Sequence, residues 1–244
     1  MSGGAYLALS GVRTRIAQLD RIAADLANAT TAGYKGERAS TVSAERPGTP
    51  FGAALDAAID VTDGPTRVDF RSGPLTATGN DFDAAIDGDG FFEIETARGL
   101  RYTRNGHFSR GAGGKLVTAD GSIVRGESGD AIELPAGQSV TYESDGTVRA
   151  GGAVVGKLHI VDFQDRSRLV REGGAFFAVP EGMTPEPVTD PVIRGGTLEG
   201  SNVSVVESMV RLVDVSRTFD ALQRGIGVVM NDLGTKAISE LGRR

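Results

Sequence analysis

Residues 209–237 read MVRLVDVSRTFDALQRGIGVVMNDLGTKA, in which Met209, Leu212, Ser216, Phe219, Gln223, Ile226, Met230, Leu233 and Ala237 follow one another at alternating spacings of three and four. That spacing sets all these positions on one helical face and is the repeat of a coiled-coil seam. Just upstream, Ser204 and Glu207 match the S-x-x-E capping box. A helix is therefore expected to open there and run for about 30 residues, roughly 45 Å at 1.5 Å per residue. Gly225 and Gly227 are its weak points, each costing up to ~1 kcal/mol against alanine.

The other end matches. Ala5, Leu9, Val12, Ile16, Leu19, Ala23 and Leu26 repeat the same spacing within an alanine-rich stretch, and Gly33 is placed to cap it. All nine prolines lie between Pro47 and Pro191, so neither end is interrupted. Two helical seams at the termini, around a different middle, point to a protein built to assemble.

Between them the period changes. Residues 36–78 carry Pro47, Pro50, Pro65 and Pro74 with little periodicity and read as an extended linker, with one short helical turn near 52–59. From 79 to 200 the period is two: Phe92 and Ile94 alternate with Glu93 and Glu95. Arg98-Gly99, Asp120-Gly121 and Asp145-Gly146 each separate two strand-like runs, and an Asp-Gly pair suits the positive φ of a two-residue hairpin turn. The expected fold class is α+β. Residues 1–35 with 201–244 form a coiled-coil-like terminal helical domain, and 79–200 form a central antiparallel all-β domain.

Composition removes several function classes. Net charge is −6 with both signs interspersed, so no basic field favours nucleic acid. With no cysteine there is no disulfide, thiolate site or cysteine nucleophile. No apolar run approaches the ~18 residues of a membrane span, so no membrane insertion is expected. The first charge is Arg13, unlike the basic start of a secretory signal, which implies either cytoplasmic residence or exit without a cleaved signal.

The chemical motifs fail on inspection. Asp81, Asp83, Asp87 and Asp89 miss the calcium-loop template in both registers and read as turn residues. GAGGK at 111–115 lacks the phosphate-loop glycine at Ser109 and the hydroxyl at Leu116. His107 and His159 have no evident catalytic partner. No catalytic residue, cofactor or metal is expected. A secreted hydrolase or sugar-binding module, the rival from another class, is poorly supplied without tryptophan.

Three segments carry a family likeness. LANATTAGYK (Leu26 to Lys35) resembles the N-terminal signature of the axial rod and hook proteins of the bacterial flagellum. IDGDGFFEIET, RYTRNGHFSR and GKLVTADGSIVRG (within Ile86 to Gly126) are similar to the β-domain signature of that family, and GTLEGSNVSVVESMVRLVDVSRTFD (Gly196 to Asp220) to its C-terminal one. The length suits one β domain, so the likeness is to the rod subunits, nearer the proximal than the distal rod. The resemblance implies a helical tube with the terminal helices inside and the β domain outside. Its implied partners are copies of itself, other rod proteins and the flagellar type III export apparatus, and its implied location is the periplasm-spanning basal body. The residues expected to carry assembly are Leu9, Val12, Ile16, Leu19, Leu26 and Asn28, with Met209, Leu212, Phe219, Ile226, Met230 and Leu233.

Overall fold

Both terminal periodicities are realised as helices. In the computed structural model, which describes residues 2–41 and 63–241, helix α1 spans Ser2–Ala27 and helix α2 spans Val205–Leu241. The helical turn expected near 52–59 lies outside the described residues. Ser204 is the α2 N-cap, its hydroxyl accepting the Glu207 amide at 3.3 Å. Glu207 does not complete the box: its carboxylate takes Arg211, one turn on, at 2.5 Å. Gly33 does not cap α1, which ends six residues earlier. Its φ of +68° serves another purpose, described below.

The chain divides into two units. One holds residues 1–27, 37–67 and 204–244, in which α1 packs against α2 and a two-stranded ribbon joins Glu37–Thr41 to Asp63–Val68. The other holds 28–36 and 68–203. Residues 28–36, expected with the helices, thus group with the β unit, and the presumed linker carries the strands Glu37–Thr41, Asp63–Val68 and Leu75–Ala77.

The β unit is antiparallel throughout its described pairings and is built around the strand Phe91–Thr96. That strand pairs with Gly99–Thr103 on one edge and with Ile123–Val124 and Ile160–Asp162 on the other. The sheet continues through Phe176–Ala178 to Val170–Arg171 one way, and through Leu116–Thr118 to Phe108–Arg110 the other. The two ends of the unit are tied together: Ala84–Ile86 pairs with Ile193–Gly195, and Leu75–Ala77 with Thr197–Glu199.

Alternation along the central strand feeds two cores. Phe92 and Ile94 enter one with Phe108, Leu116, Val124 and Ile160. Phe91 enters the other with Tyr102, Val161, Phe163 and Phe177. Edge-to-face ring pairs at 5.1 Å (Phe92–Phe108) and 4.9 Å (Tyr102–Phe163) add about 0.5–1.5 kcal/mol each to the area buried. The expected polar face is therefore only half correct. Glu95 is exposed, but Glu93 is buried on the second face beside Arg125, His159 and Tyr102. Burial, together with the Glu93 carboxylate, pushes the Tyr102 phenol up to about 12.

The hairpins form where glycine can take positive φ, with shifted bounds. Thr96 pairs with Gly99, so the first turn is Ala97-Arg98 rather than Arg98-Gly99. The two Asp-Gly turns are three-residue loops, with Gly121 (φ +83°) and Gly146 (φ +90°) at the last position. Asp120 accepts hydrogen bonds from the Thr118 and Ser122 hydroxyls and Asp145 from the Thr147 amide, which pins each loop.

Asp162 makes a related contact with more at stake. Burial raises its carboxyl, but hydrogen bonds from Arg166 and the Phe163 amide outweigh that and hold it below its ordinary value. A depressed carboxylate contributes stability above its unfolded value, near 3.8, that is lost as pH falls through the folded value. The melting temperature of Asp162→Asn should therefore lie below wild type at neutral pH and converge with it in acid. Parallel curves across that range would refute the assignment.

Candidate functional site

Three charged side chains meet inside the β unit. The Glu199 carboxylate is fully buried, with Lys35 Nζ at 2.5 Å from Oε1 and Arg104 Nε at 2.7 Å from Oε2. Every strong donor has further work. Lys35 Nζ also donates to the Arg71 carbonyl at 2.9 Å, and Arg104 donates to the carbonyls of Gly90 at 2.7 Å and Ile86 at 3.2 Å. Glu199 Oε1 additionally accepts the Gly73 amide at 2.9 Å. Burial pulls the Lys35 ammonium below its ordinary value, against the opposing attraction of Glu199, and the neighbouring Arg104 charge adds to the lowering.

Glycines make the approach possible. A Cβ on Gly33 would sit 2.2 Å from the Asn105 nitrogen, and one on Gly73 would sit 2.1 Å from the Gly200 carbonyl oxygen. With no side chain at either place, the backbones touch. The Gly33 amide donates to the Glu199 carbonyl at 2.7 Å, and Asn202 bridges Gly36, Asp69 and Arg71 through its side-chain amide. Tyr34 lies under the Arg171 guanidinium, 4.4 Å from ring centroid to carbon, and Arg171 also donates to the Lys35 carbonyl.

Lys35, Arg104 and Glu199 were not among the residues expected from sequence to carry assembly. The signal present was weak: each lies within two residues of a glycine in one of the three family-like segments, as Gly33-Tyr34-Lys35, Arg104-Asn105-Gly106 and Glu199-Gly200-Ser201. Linear order separates them by up to 164 positions. Only the fold brings the three segments to one carboxylate.

The helical faces depart from the expected seam in a regular way. The half-buried or buried positions include Val12, Arg15, Leu19, Ile22 and Leu26 on α1, and Ser208, Leu212, Val215, Phe219 and Leu222 on α2. The positions seven apart, Val12, Leu19 and Leu26 on α1 and Leu212 and Phe219 on α2, belong to this half-buried face. The alternate positions fall on the other side of them. Ile16 and Met209 are exposed, as are Ser216 and Gln223; at the last two places Val215 and Leu222, with the larger apolar area, are half-buried instead. Asn28 lies just past α1, its side-chain oxygen accepting the Thr31 hydroxyl at 3.2 Å. The side chains of Leu9, Ile226, Met230 and Leu233 lie outside the described residues.

Where α1 meets α2 there is an opening of about 390 Å³ lined by Arg21, Asp25, Glu37, Arg38, Arg211 and Asp214, three charges of each sign. It lies between the last turns of α1 and the first turns of α2. Away from that contact α2 exposes an apolar ridge: Val206 at 73%, Met209 at 51%, Val210 at 64% and Val213 at 49% of full accessibility. Four large apolar side chains in a row on one solvent face mark an interaction surface.

The acidic cluster is structural. Asp83 accepts from Thr78, Asn80 and His107, while Asp87 and Asp89 pair with Arg194 and Arg166. No group of metal-ligating side chains gathers among the described residues. GAGGK is the loop between the paired strands Phe108–Arg110 and Leu116–Thr118. An open groove of about 750 Å³ lies along three hairpin tips, where Arg101 pairs with Glu172 at 2.7 Å. Among the described residues, no helix is long and apolar enough to cross a membrane.

Comparison with known proteins agrees with these segments. Residues 85–150 match the model of the flagellar hook protein FlgE/F/G D1 domain, and 194–235 match that of the flagellar basal body rod FlgEFG protein C-terminal region. The chain is 32% identical to the flagellar basal-body rod protein FlgF of Caulobacter vibrioides, over 100% of this chain and 99% of the relative. It is 35% identical to FlgF of Mesorhizobium japonicum over 90% of each. To the rod protein FlgG of Bacillus subtilis it is 30% identical, over 88% of this chain and 90% of the relative.

For the buried triad the expectation is asymmetric. Glu199→Gln leaves two cations buried without a counter-charge and should cost about 3–5 kcal/mol in urea unfolding. Lys35→Met leaves Arg104 to neutralise Glu199 and should cost clearly less. Equal losses, or a negligible loss for Glu199→Gln, would contradict the geometry.

Proposed function

This chain belongs to the FlgF family of flagellar basal-body rod proteins, and we propose on that premise that its terminal helices pack with those of neighbouring subunits into the wall of the rod. It is a structural subunit of the rod, the shaft of a motility organelle, and not an enzyme. The carrying observation is the apolar ridge of α2, which a lone chain leaves in water. Burying such a ridge is favourable by roughly 25 cal/mol per Å², so neighbours have a direct incentive to cover it.

The division of labour follows from the two units. The β unit has its own two cores and its own buried ion triad, so it can fold as a body by itself. The terminal helices pack on each other within the chain, and their outward faces gain partners on assembly. A shaft that transmits torque needs both: stiff bodies, and helices that continue from copy to copy by heterologous contacts. By their spacing in the sequence, Leu9, Ile226, Met230 and Leu233 are further candidates for assembly contacts. Other rod proteins above and below are the remaining partners, and passage through the flagellar type III apparatus delivers the chain to the periplasm-spanning basal body.

Deleting residues 205–244 should leave a β unit that melts cooperatively, with strand-dominated circular dichroism, yet is absent from purified basal bodies. Retained incorporation of that truncation would sink the reading.

A further inference from the structure

α1 and α2 each carry a second, outward face, and the two are complementary. On α2 the ridge of Val206, Met209, Val210 and Val213 is continued along the same side by Arg217 and Asp220. On α1 the exposed side runs through Arg13, Ile16, Ala17, Asp20, Ala23 and Ala27. We infer that the α2 ridge of one copy is covered by the outward α1 face of a second copy, with those two helices antiparallel. The inference rests on the rod reading and specifies which surfaces meet.

Charge order selects the direction. An antiparallel register that sets Ala23 level with Val213 also sets Ala27 level with Met209. It brings Asp20 within one residue of Arg217, and Arg13 within a turn of Asp220, so both ion pairs can form. A parallel arrangement that kept the Arg13–Asp220 pair would carry the ridge past residue 6, away from this α1 face. Pairing the ridge with itself about a two-fold axis would set Arg217 and Asp220 opposite residues that precede α2. The exposed ion pairs are individually weak, so they choose register and polarity while the apolar ridge supplies affinity.

Size order agrees. Valine and methionine on one face meet alanines on the other, which lets the helix axes approach closely. The contact joins two different patches, so it does not close after two copies and can repeat along an open array. Ile16 and Met209, exposed in the single chain, acquire a place in it.

The natural chain has no cysteine, so a disulfide can be placed without background. Cells co-expressing Ala23→Cys and Val213→Cys copies should yield basal bodies that, on mild oxidation, release a covalent dimer of this chain. Neither variant alone should do so. Basal bodies holding both variants at wild-type amounts but giving no dimer would overturn the inference and leave the rod reading intact. A dimer from Val210→Cys alone would overturn it in favour of ridge-to-ridge pairing. Absence of the wild-type chain from basal bodies would overturn the rod reading and this inference together. As an independent check, Asp20→Arg should reduce incorporation and Arg217→Asp in the same chain should restore it; no restoration counts against the register.

Discussion

A single buried carboxylate organises this molecule. Glu199 holds Lys35 and Arg104 at 2.5 and 2.7 Å with no access to water, so its place is set by both partners together. Lys35 lies eight residues past the end of α1 and Glu199 six before the start of α2. The Gly33 amide on the Glu199 carbonyl secures these two segments side by side within the β unit. Arg104 adds the central sheet to the same point. The triad makes a poor case as a source of net stability, since desolvation offsets much of the attraction within such pairs. Its use here is positional: this arrangement pairs all three charges, and a slipped one leaves buried charge unpaired.

Specificity of that kind suits a subunit whose helices must present defined faces. The β unit gains its stability from two apolar cores on either side of the Phe91–Thr96 strand, with the aromatic rings of Phe91, Phe92, Phe108, Phe163 and Phe177 supplying much of the buried area. The helical unit keeps large apolar area in reserve on α2. One part of the chain is thus saturated by its own contacts and the other is not, which is the asymmetry expected of a building block rather than of a free-standing enzyme.

Much of this was legible in the sequence, and the misses have physical causes. Both helices follow from their uninterrupted apolar repeats. The exact seam did not, because positions seven apart are common to two possible stripes. The choice between Val215 and Ser216, or Leu222 and Gln223, needs the partner helix. Glu93 read as solvent-facing because strand alternation describes a sheet with one wet side, whereas this strand is covered on both. Gly33 looked like a helix cap, since positive φ at a cap and close backbone approach at a buried junction both call for glycine. The triad stayed hidden because sequence spacing carries no record of contacts between positions 35, 104 and 199.

Native-state hydrogen exchange on the free chain tests the central claim most directly. The amides of Gly33, Gly36 and Gly73 donate to the Glu199 carbonyl, the Asn202 side chain and the Glu199 carboxylate respectively. If the triad binds these segments into the β unit, the three amides exchange only with its cooperative opening, at the slow rate of Ile94 in the central strand. Exchange of the three as fast as that of the exposed first turn of α2 would contradict the account.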